Sequence, residues 1–171
     1  IDENFIKQSE LVFLEGYLWD EGEPKAAFDK ALALANKSAM SLSDKFCVDR
    51  HKKSFYDLVK NELDIIFANE QEIMELIDAK SFDDVIEFGK DLSKKLVVTR
   101  SDKGSIAISG SEVVECEGQK NLKIIDLTGA GDLFAAGFLH GYINTMSTKE
   151  SLKKGTEMAS KIIQKIGARL N

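Results

Sequence analysis

The segment 126–138 carries the residues of this sequence that are best suited to chemistry. It reads Asp-Leu-Thr-Gly-Ala-Gly-Asp and then continues as an apolar run with helical spacing. A helix N-terminus offers unpaired backbone N–H groups and a partial positive charge, and glycine lets an anion approach that backbone closely. The segment therefore predicts an oxyanion or phosphate site at residues 129–131. With the carboxylate of Asp132 beside it, such a site is suited to moving a phosphoryl group onto an alcohol.

A purely structural interpretation of the same residues is also open. Gly-Ala-Gly at a strand-to-helix turn can simply allow tight packing, and the helix dipole alone favours an aspartate near a helix start. The longer string is more specific than a lone GxGD pattern. It resembles the signature D-[TL]-T-G-A-G-D-x-F-x-x-G-[FL] of the ribokinase-like (PfkB) carbohydrate and nucleoside kinase family, and most of all its adenosine-kinase-like bacterial branch.

The resemblance implies a role for most of this signature. Asp132 corresponds to the catalytic base of the family, and Thr128 corresponds to a nucleotide-binding position. The anion hole corresponds to the backbone amides of three consecutive residues, Gly129, Ala130 and Gly131. Asp126 corresponds to an aspartate that lies near a monovalent cation such as K⁺ or supports the loop. Leu127 departs from the Thr or Pro that is common there, which matters little for a site built from main-chain groups.

A second motif follows the predicted strand 63–68. Asn69 at a strand end is a good helix N-cap, and Glu72 three residues later completes a capping-box arrangement. The same pair matches the N-x-x-E motif of the family, in which Asn and Glu act on magnesium and phosphate largely through water. Mg²⁺ keeps several waters and touches few protein ligands, which suits so sparse a set. Asn69 and Glu72 are therefore expected to bind Mg²⁺ and the nucleotide phosphates.

Two further segments resemble nucleotide-binding parts of the family. Residues 98–105 resemble the T-x-G-x-x-G hairpin that lies along the nucleotide, with Thr99 and Gly104 at matching positions. Ser101 stands where glycine is usual, and a plain surface hairpin is the alternative interpretation. The last helix pattern resembles the final family helix, in which small residues border the adenine pocket. Ala159 and Ile163 are assigned to that pocket by resemblance, although periodicity alone would place them in the core.

The pattern of elements predicts an α/β fold with a mostly parallel sheet. Strands are predicted at 11–14, 39–42, 63–68, 96–99, 105–108, 113–116 and 123–125. Helices are predicted at 24–38, 49–61 with Asp49 as N-cap, 69–77, 81–94, 129–146 and 148–166. The resemblance implies a ribokinase-like, Rossmann-like three-layer sandwich. Ligands in such folds bind at the carboxyl ends of the strands, where the glycine-rich loop falls.

Composition narrows the remaining classes of protein. The net charge of −6 disfavours general binding to nucleic acid or to anionic membranes. No apolar run approaches the roughly 18 residues of a membrane span, and no signal-peptide pattern is present. Cys47 and Cys116 lack CxxC spacing, so reduced thiols in a cytoplasmic protein are expected rather than a disulfide or metal site. His51 and His140 lack a catalytic partner in sequence and are expected to pack or lie at the surface.

The resemblance covers nearly the whole chain but only the C-terminal half of the family pattern. The acceptor-binding Gly-Gly motif and the lid strands of the family lie in the other half. Residues 1–171 are therefore expected to be the ATP-binding C-terminal part of a larger kinase domain. The partners implied are ATP and a small-molecule alcohol, with a homodimer formed through the lid. Whether the acceptor is a sugar or a nucleoside is left open.

Three functions can be compared at this point. The favoured one is ATP-dependent phosphoryl transfer to a primary hydroxyl of a sugar or nucleoside, with Mg²⁺ as cofactor. The second is a nucleotide-binding or structural half that is inactive without the missing half, and little turnover is expected from this chain alone. The third, a Rossmann dehydrogenase, is disfavoured because no GxGxxG follows the first strand and no acidic residue lies about 20 residues beyond it.

Overall fold

The computed structural model describes residues 1–19 and 22–170. Its strands are β1 (Val12–Glu15), β2 (Ser38–Ser41), β3 (Ile65–Asn69), β4 (Lys95–Thr99), β5 (Ser105–Ser109) and β6 (Glu112–Cys116). Its helices are α1 (Glu3–Gln8), α2 (Glu23–Leu34), α3 (Lys45–Asn61), α4 (Glu70–Leu76), α5 (Phe82–Asp91), α6 (Ala130–Ile143) and α7 (Thr148–Ile162). Short 3₁₀ turns lie at Gly16–Trp19 and Ser101–Lys103.

The six strands form one sheet in the order β1-β2-β3-β4-β5-β6. β1 pairs with β2, and β2 with β3, in parallel, with Glu15 opposite Ser41 and Ser41 opposite Phe67. Each of these parallel pairs is joined through a helix, as a parallel connection requires. β4, β5 and β6 are joined by connections too short for a parallel crossover, so this end of the sheet is antiparallel. The predicted three-layer α/β fold with a mostly parallel sheet is confirmed.

The chain divides into two compact units. The first contains Ile1–Val97 with Ile108–Ser111, and the second contains Val98–Ala107 with the chain from Glu112 onward. In the first unit the interior strands β2 and β3 are almost entirely buried. Phe28 of α2 and Phe55 of α3 pack edge-to-face against Trp19, which makes an aromatic cluster within this unit.

The second unit is organised around the contact of α6 with α7. A Cβ atom at Gly137 would lie 2.6 Å from the Lys154 carbonyl oxygen, and one at Gly155 would lie 2.8 Å from the Phe134 carbonyl oxygen. Gly141 is equally close to Ser151. The two helices therefore pack closely because these three positions are glycines, and any larger residue must push the helices apart.

Several predicted boundaries are wrong, each for a local reason. α3 begins at Lys45 rather than at residue 49, because Asp44, not Asp49, is the N-cap and accepts from the Cys47 N–H at 2.7 Å. α2 ends at Leu34, since Ser38 already belongs to β2. α5, α6 and α7 end earlier than predicted, at Asp91, Ile143 and Ile162.

The strand predicted at 123–125 does not form. The N–H groups of Ile125 and Asp126 donate to the Ile163 carbonyl, at 2.8 and 3.3 Å. The backbone of this segment is therefore bonded to the end of α7 rather than to a neighbouring strand. Among residues 1–19 and 22–170, no helix combines the length and the apolar character needed to cross a bilayer.

Replacing Gly137 by alanine is expected to destabilise the protein by about 1–3 kcal/mol, because the new methyl group meets backbone atoms of α7. The matched control is Gly131→Ala in the same helix, where a Cβ has no heavy atom within 4 Å. Urea unfolding of the three proteins measures the difference. A Gly137→Ala variant as stable as the control would contradict the close α6–α7 contact.

Candidate active site

The N-terminus of α6 is shaped by glycine. Gly129 is the N-cap and has φ 78° and ψ 4°, a left-handed conformation that glycine adopts at little cost. A Cβ there would lie 2.9 Å from the Cβ of Ala168. The Ala130 N–H donates to the Leu127 carbonyl at 3.1 Å, and the Leu133 N–H donates to the Gly129 carbonyl at 2.9 Å. The predicted helix start at this tripeptide is confirmed, and both backbone conformation and packing demand glycine at its first position.

The next two residues leave the helix end open. Within the described residues, the N–H groups of Gly131 and Asp132 contact no hydrogen-bond acceptor. Gly131 is exposed, and the Asp132 side chain, at the third helical position, is exposed as well. By contrast, α4 and α7 are closed by capping boxes that begin at Asn69 and Ser147. This end of α6 therefore offers the donors, the space and the partial positive charge that an anion needs.

The carboxylate of Asp126 ties the loop before α6 to the end of the chain. Its Oδ1 accepts from the Thr128 N–H at 2.9 Å and from the Thr128 hydroxyl at 2.6 Å. Its Oδ2 accepts from the Gly167 N–H at 2.8 Å. These bonds, that of the Thr128 hydroxyl first, lower the pKa of Asp126 to about 2. The structure thus shows the loop-supporting role of Asp126, and its monovalent cation remains a prediction.

Asn69 and Glu72 form a closed pair at the carboxyl end of β3. The Asn69 N–H and side-chain amide donate to the two carboxylate oxygens of Glu72, at 2.8 and 2.6 Å. The Glu72 N–H donates back to Asn69 Oδ1 at 2.8 Å, so the predicted capping box is confirmed. Burial raises the pKa of Glu72, and the charge of Asp44 raises it further, against the lowering effect of the Asn69 N–H.

This pair presents oxygen donors, which hard cations such as Mg²⁺ prefer. Among residues 1–19 and 22–170, no three histidine, cysteine or carboxylate side chains are grouped so as to hold a metal ion. The pair therefore suits a cation that keeps most of its water and substrate ligands. It does not by itself make a complete coordination shell.

The hairpin between β4 and β5 turns through two left-handed residues, Ser101 and Gly104. Gly104 has φ 93°, and a Cβ there would overlap the Cys116 carbonyl oxygen, so glycine is required. The Arg100 N–H donates to the Gly104 carbonyl at 2.7 Å and closes the turn after Thr99. Ser101 has φ 54°, a left-handed conformation of the kind that glycine usually supplies. A glycine is therefore not needed at position 101 for the chain to turn in this conformation.

The end of α7 lies against the loop before α6. Ala159 and Ile163 are half-buried rather than part of the closed core, whereas Ile162 is fully buried. The Ile163 carbonyl accepts the two N–H groups of the 125–126 segment. Ile166, beyond the end of α7, is 86% exposed. The contact of Ala159 and Ile163 with adenine remains a prediction.

Each unit brings together only part of the predicted site. The second unit contains the open end of α6, Asp126, Thr128, the hairpin glycine and the end of α7, whereas Asn69 and Glu72 belong to the first.

Two contacts near the candidate site were not predicted from the sequence. No local sequence pattern would have predicted the hydrogen bond from the Gly167 N–H to Asp126. Asp44 could have been recognised as the N-cap of α3, because it stands just before a helical pattern.

Fold and site together define an α/β protein in which a glycine-rich loop leads into a helix without a side-chain cap. The model of the pfkB family of carbohydrate kinases matches residues 1–171. The chain is 37% identical to the solved adenosine kinase from Sinorhizobium meliloti, with a TM-score of 0.94 over 99% of this chain and 54% of that one.

Curated relatives agree with the structural match. A cytidine kinase from Thermococcus kodakarensis is 33% identical over 64% of this chain and 40% of its own length. A ribokinase from Lactococcus lactis is 29% identical over 95% of this chain and 50% of its own length. The chain belongs to the pfkB family of carbohydrate kinases and has its ribokinase-like fold. It spans about half the length of these relatives.

The lowered pKa of Asp126 predicts a defined pH dependence. A carboxyl whose folded pKa is about 2 and whose ordinary pKa is 3.8 stabilises the fold above pH ~4, and that stabilisation is lost as pH falls toward 2. Asp126→Asn is therefore expected to lower Tm at pH 6, with the gap to the native protein closing by about pH 2. Calorimetry between pH 2 and 6 measures this gap, and a pH-independent gap would contradict the assignment.

Proposed function

We propose that the full-length protein transfers the γ-phosphoryl group of ATP to a primary hydroxyl of a sugar or nucleoside. The observation that carries the proposal is the uncapped start of α6, where open N–H groups and an exposed aspartate lie in the family signature. Membership of the pfkB family supports a kinase activity of this kind. The adenosine, cytidine and ribose kinases among its relatives support both acceptor classes.

The chemistry assigned to the α6 end is proton removal and charge stabilisation. Asp132 accepts the hydroxyl proton of the acceptor as the acceptor oxygen bonds to the γ-phosphorus. The bond from the γ-phosphorus to the bridging oxygen of ATP breaks, and ADP leaves. The main-chain groups of residues 129–131 stabilise the negative charge on the transferred group. Because the Ala130 N–H already donates to Leu127, the Gly131 and Asp132 N–H groups are the donors best placed for this role.

Magnesium is assigned to Asn69 and Glu72, acting largely through water. When bound, it neutralises charge on the phosphate oxygens. The proposal requires these two residues of the first unit and Asp132 of the second to act on one substrate complex, and this convergence remains a prediction. The buried Glu72 carboxylate is already fixed by Asn69, so it is held in one orientation before any cation binds.

The remaining predicted residues are assigned to the nucleotide. Thr128 and the hairpin residues Thr99 and Gly104 would lie along the phosphates and ribose, and Ala159 and Ile163 would border adenine. Asp126 is proposed to lie near a monovalent cation while supporting the loop. The rigid hairpin turn and the bonded end of α7 supply fixed surfaces of the kind that a nucleotide site needs.

Asp132→Asn in the full-length protein is expected to lower kcat by at least ~10²–10⁴-fold, because asparagine cannot take the hydroxyl proton. The Kd for ATP should change little, since main-chain groups supply most of the proposed phosphate contacts. The matched control is Asp83→Asn, an exposed aspartate in the first turn of α5. Turnover is measured with adenosine, cytidine and ribose, and near-normal kcat in Asp132→Asn would leave the proposed mechanism without a base.

A second candidate function is a nucleotide-binding half that is inactive unless joined to the rest of the family fold. This candidate calls for a direct test because the chain spans about half the length of its relatives. We expect purified residues 1–171 to turn over little or no adenosine, cytidine or ribose, because the acceptor-binding motif of the family lies outside them. Robust phosphorylation by this isolated chain would show that expectation to be wrong.

A further inference from the structure

The turn that follows α7 holds the loop that leads into α6. The Ile163 carbonyl accepts from the N–H groups of Ile125 and Asp126, at 2.8 and 3.3 Å. Further along the same turn, the Gly167 N–H donates to Asp126 Oδ2 at 2.8 Å. The loop is therefore bound through both its main chain and its carboxylate by one stretch of chain, residues 163–168, which we call the 163–168 turn.

Ala168 of this turn lies directly against the N-cap of α6. A Cβ placed on Gly129 would lie 2.9 Å from the Cβ of Ala168, 3.0 Å from its Cα and 3.3 Å from its carbonyl oxygen. Outside its own helix and its chain neighbours, these are the three atoms nearest to that position. The main chain of Ala168 is therefore in van der Waals contact with Gly129, which has no side-chain cap of its own.

The first turn of α6 is otherwise open on its outer side. A Cβ at Gly131 would meet no heavy atom of the described residues within 4 Å, and Gly131 and Asp132 are both exposed. The body of the helix is held further on, where Phe134 and Gly137 meet the backbone of α7. The 163–168 turn is therefore the neighbouring segment that sets where the helix begins.

The shape of this turn depends on Gly167. Its φ is 85°, and a Cβ there would meet no heavy atom of the described residues within 4 Å. Glycine is therefore required at this position by backbone conformation and not by space. Asparagine adopts positive φ several-fold more readily than most residues, whereas a β-branched residue rarely does so. A residue that rejects positive φ must rotate the chain and move the N–H away from Asp126.

We propose that Gly167 is a positioning residue for the proposed phosphoryl transfer: its backbone conformation aims its N–H at Asp126 and sets the next residue against the N-cap of α6. The inference rests on the proposed function. Donors that stabilise a transferred group must be in place before the reaction, and a misplacement of about 1 Å can cost roughly 10²-fold in rate. Gly167 acts only through the residues that it positions and has no contact with the substrates in this scheme.

The test compares three substitutions of Gly167 in the full-length protein at a fixed KCl concentration. Gly167→Val is expected to lower kcat by about 10²-fold, because valine rejects φ 85°. Gly167→Asn should keep kcat within about threefold of the native value, and Gly167→Ala should fall between the two. The number of sites that bind a non-hydrolysable ATP analogue is measured as well, so that kcat is expressed per folded site. The Kd for the analogue should change less than kcat.

Gly110→Val is the matched control. Gly110 has φ 58°, is half-buried like Gly167, and likewise leaves space for a Cβ. It lies in the turn between β5 and β6, to which no part of the proposed site is assigned. The control therefore introduces the same residue at a comparable backbone conformation. It should lower Tm without lowering kcat per binding site.

Three results would overturn the inference. In the first, Gly167→Val turns over as fast as Gly110→Val. In the second, Gly167→Asn loses as much kcat as Gly167→Ala, a comparison that decides the matter even where Gly167→Val does not fold. In the third, high KCl restores the lost kcat, which would place the effect on the proposed monovalent cation.

A measurement without turnover separates this inference from the proposed function. With ¹⁵N-glycine labelling, the NMR resonances of Gly129 and Gly131 should shift in Gly167→Ala and stay near their native positions in Gly167→Asn and Gly110→Val. A native protein that phosphorylates none of the acceptors would contradict the proposed transfer, while these shifts would still support the positioning of α6 by Gly167. Native turnover with unmoved resonances and unchanged kcat in Gly167→Ala would overturn the inference alone.

Discussion

The carboxylate of Asp126 is the interaction on which the arrangement of the second unit depends. Its bonds to Thr128 and Gly167 fix the loop before α6 against the end of the chain. Gly129 then has to turn in a left-handed conformation with no room for a side chain beside Ala168. Because the loop is held from outside the helix, the first turn of α6 needs no side-chain cap, and among the described residues nothing accepts from the N–H groups of Gly131 and Asp132.

That openness contrasts with the starts of three other helices, although α2 also begins at a glycine without a side-chain cap. α3, α4 and α7 begin with side chains that accept from their own first turns. A capped end stabilises its helix by about 0.5–2 kcal/mol. The start of α6 lacks that contribution and instead presents a glycine-rich surface, which is the arrangement expected where backbone donors serve a ligand.

In the first unit, the negatively charged side chains of Asp44 and Glu72 follow the carboxyl ends of buried strands. Glu72 is buried and Asp44 is half-buried, so each carboxylate needs donors to offset the loss of water. Asn69 supplies them to Glu72, and Cys47 and Tyr17 supply them to Asp44. The polar edge is thereby rigid before any ligand binds, which suits a site that works mainly by positioning.

The sequence by itself determined what depends on one turn of chain: the helix start at residues 129–131, the Asn69–Glu72 capping box, the hairpin at Gly104 and the alternation that defines the α/β class. For the first three of these the signal lies within a few residues, where backbone geometry leaves few choices, and the α/β class follows from the order of such local signals along the chain. Only the tertiary structure decided that the 125–126 segment bonds to the end of α7 instead of forming a strand. It alone joined Tyr17 to Asp44 and Asp126 to Gly167, which are 27 and 41 residues apart. Such contacts depend on how the elements pack, and local spacing carries no record of that packing.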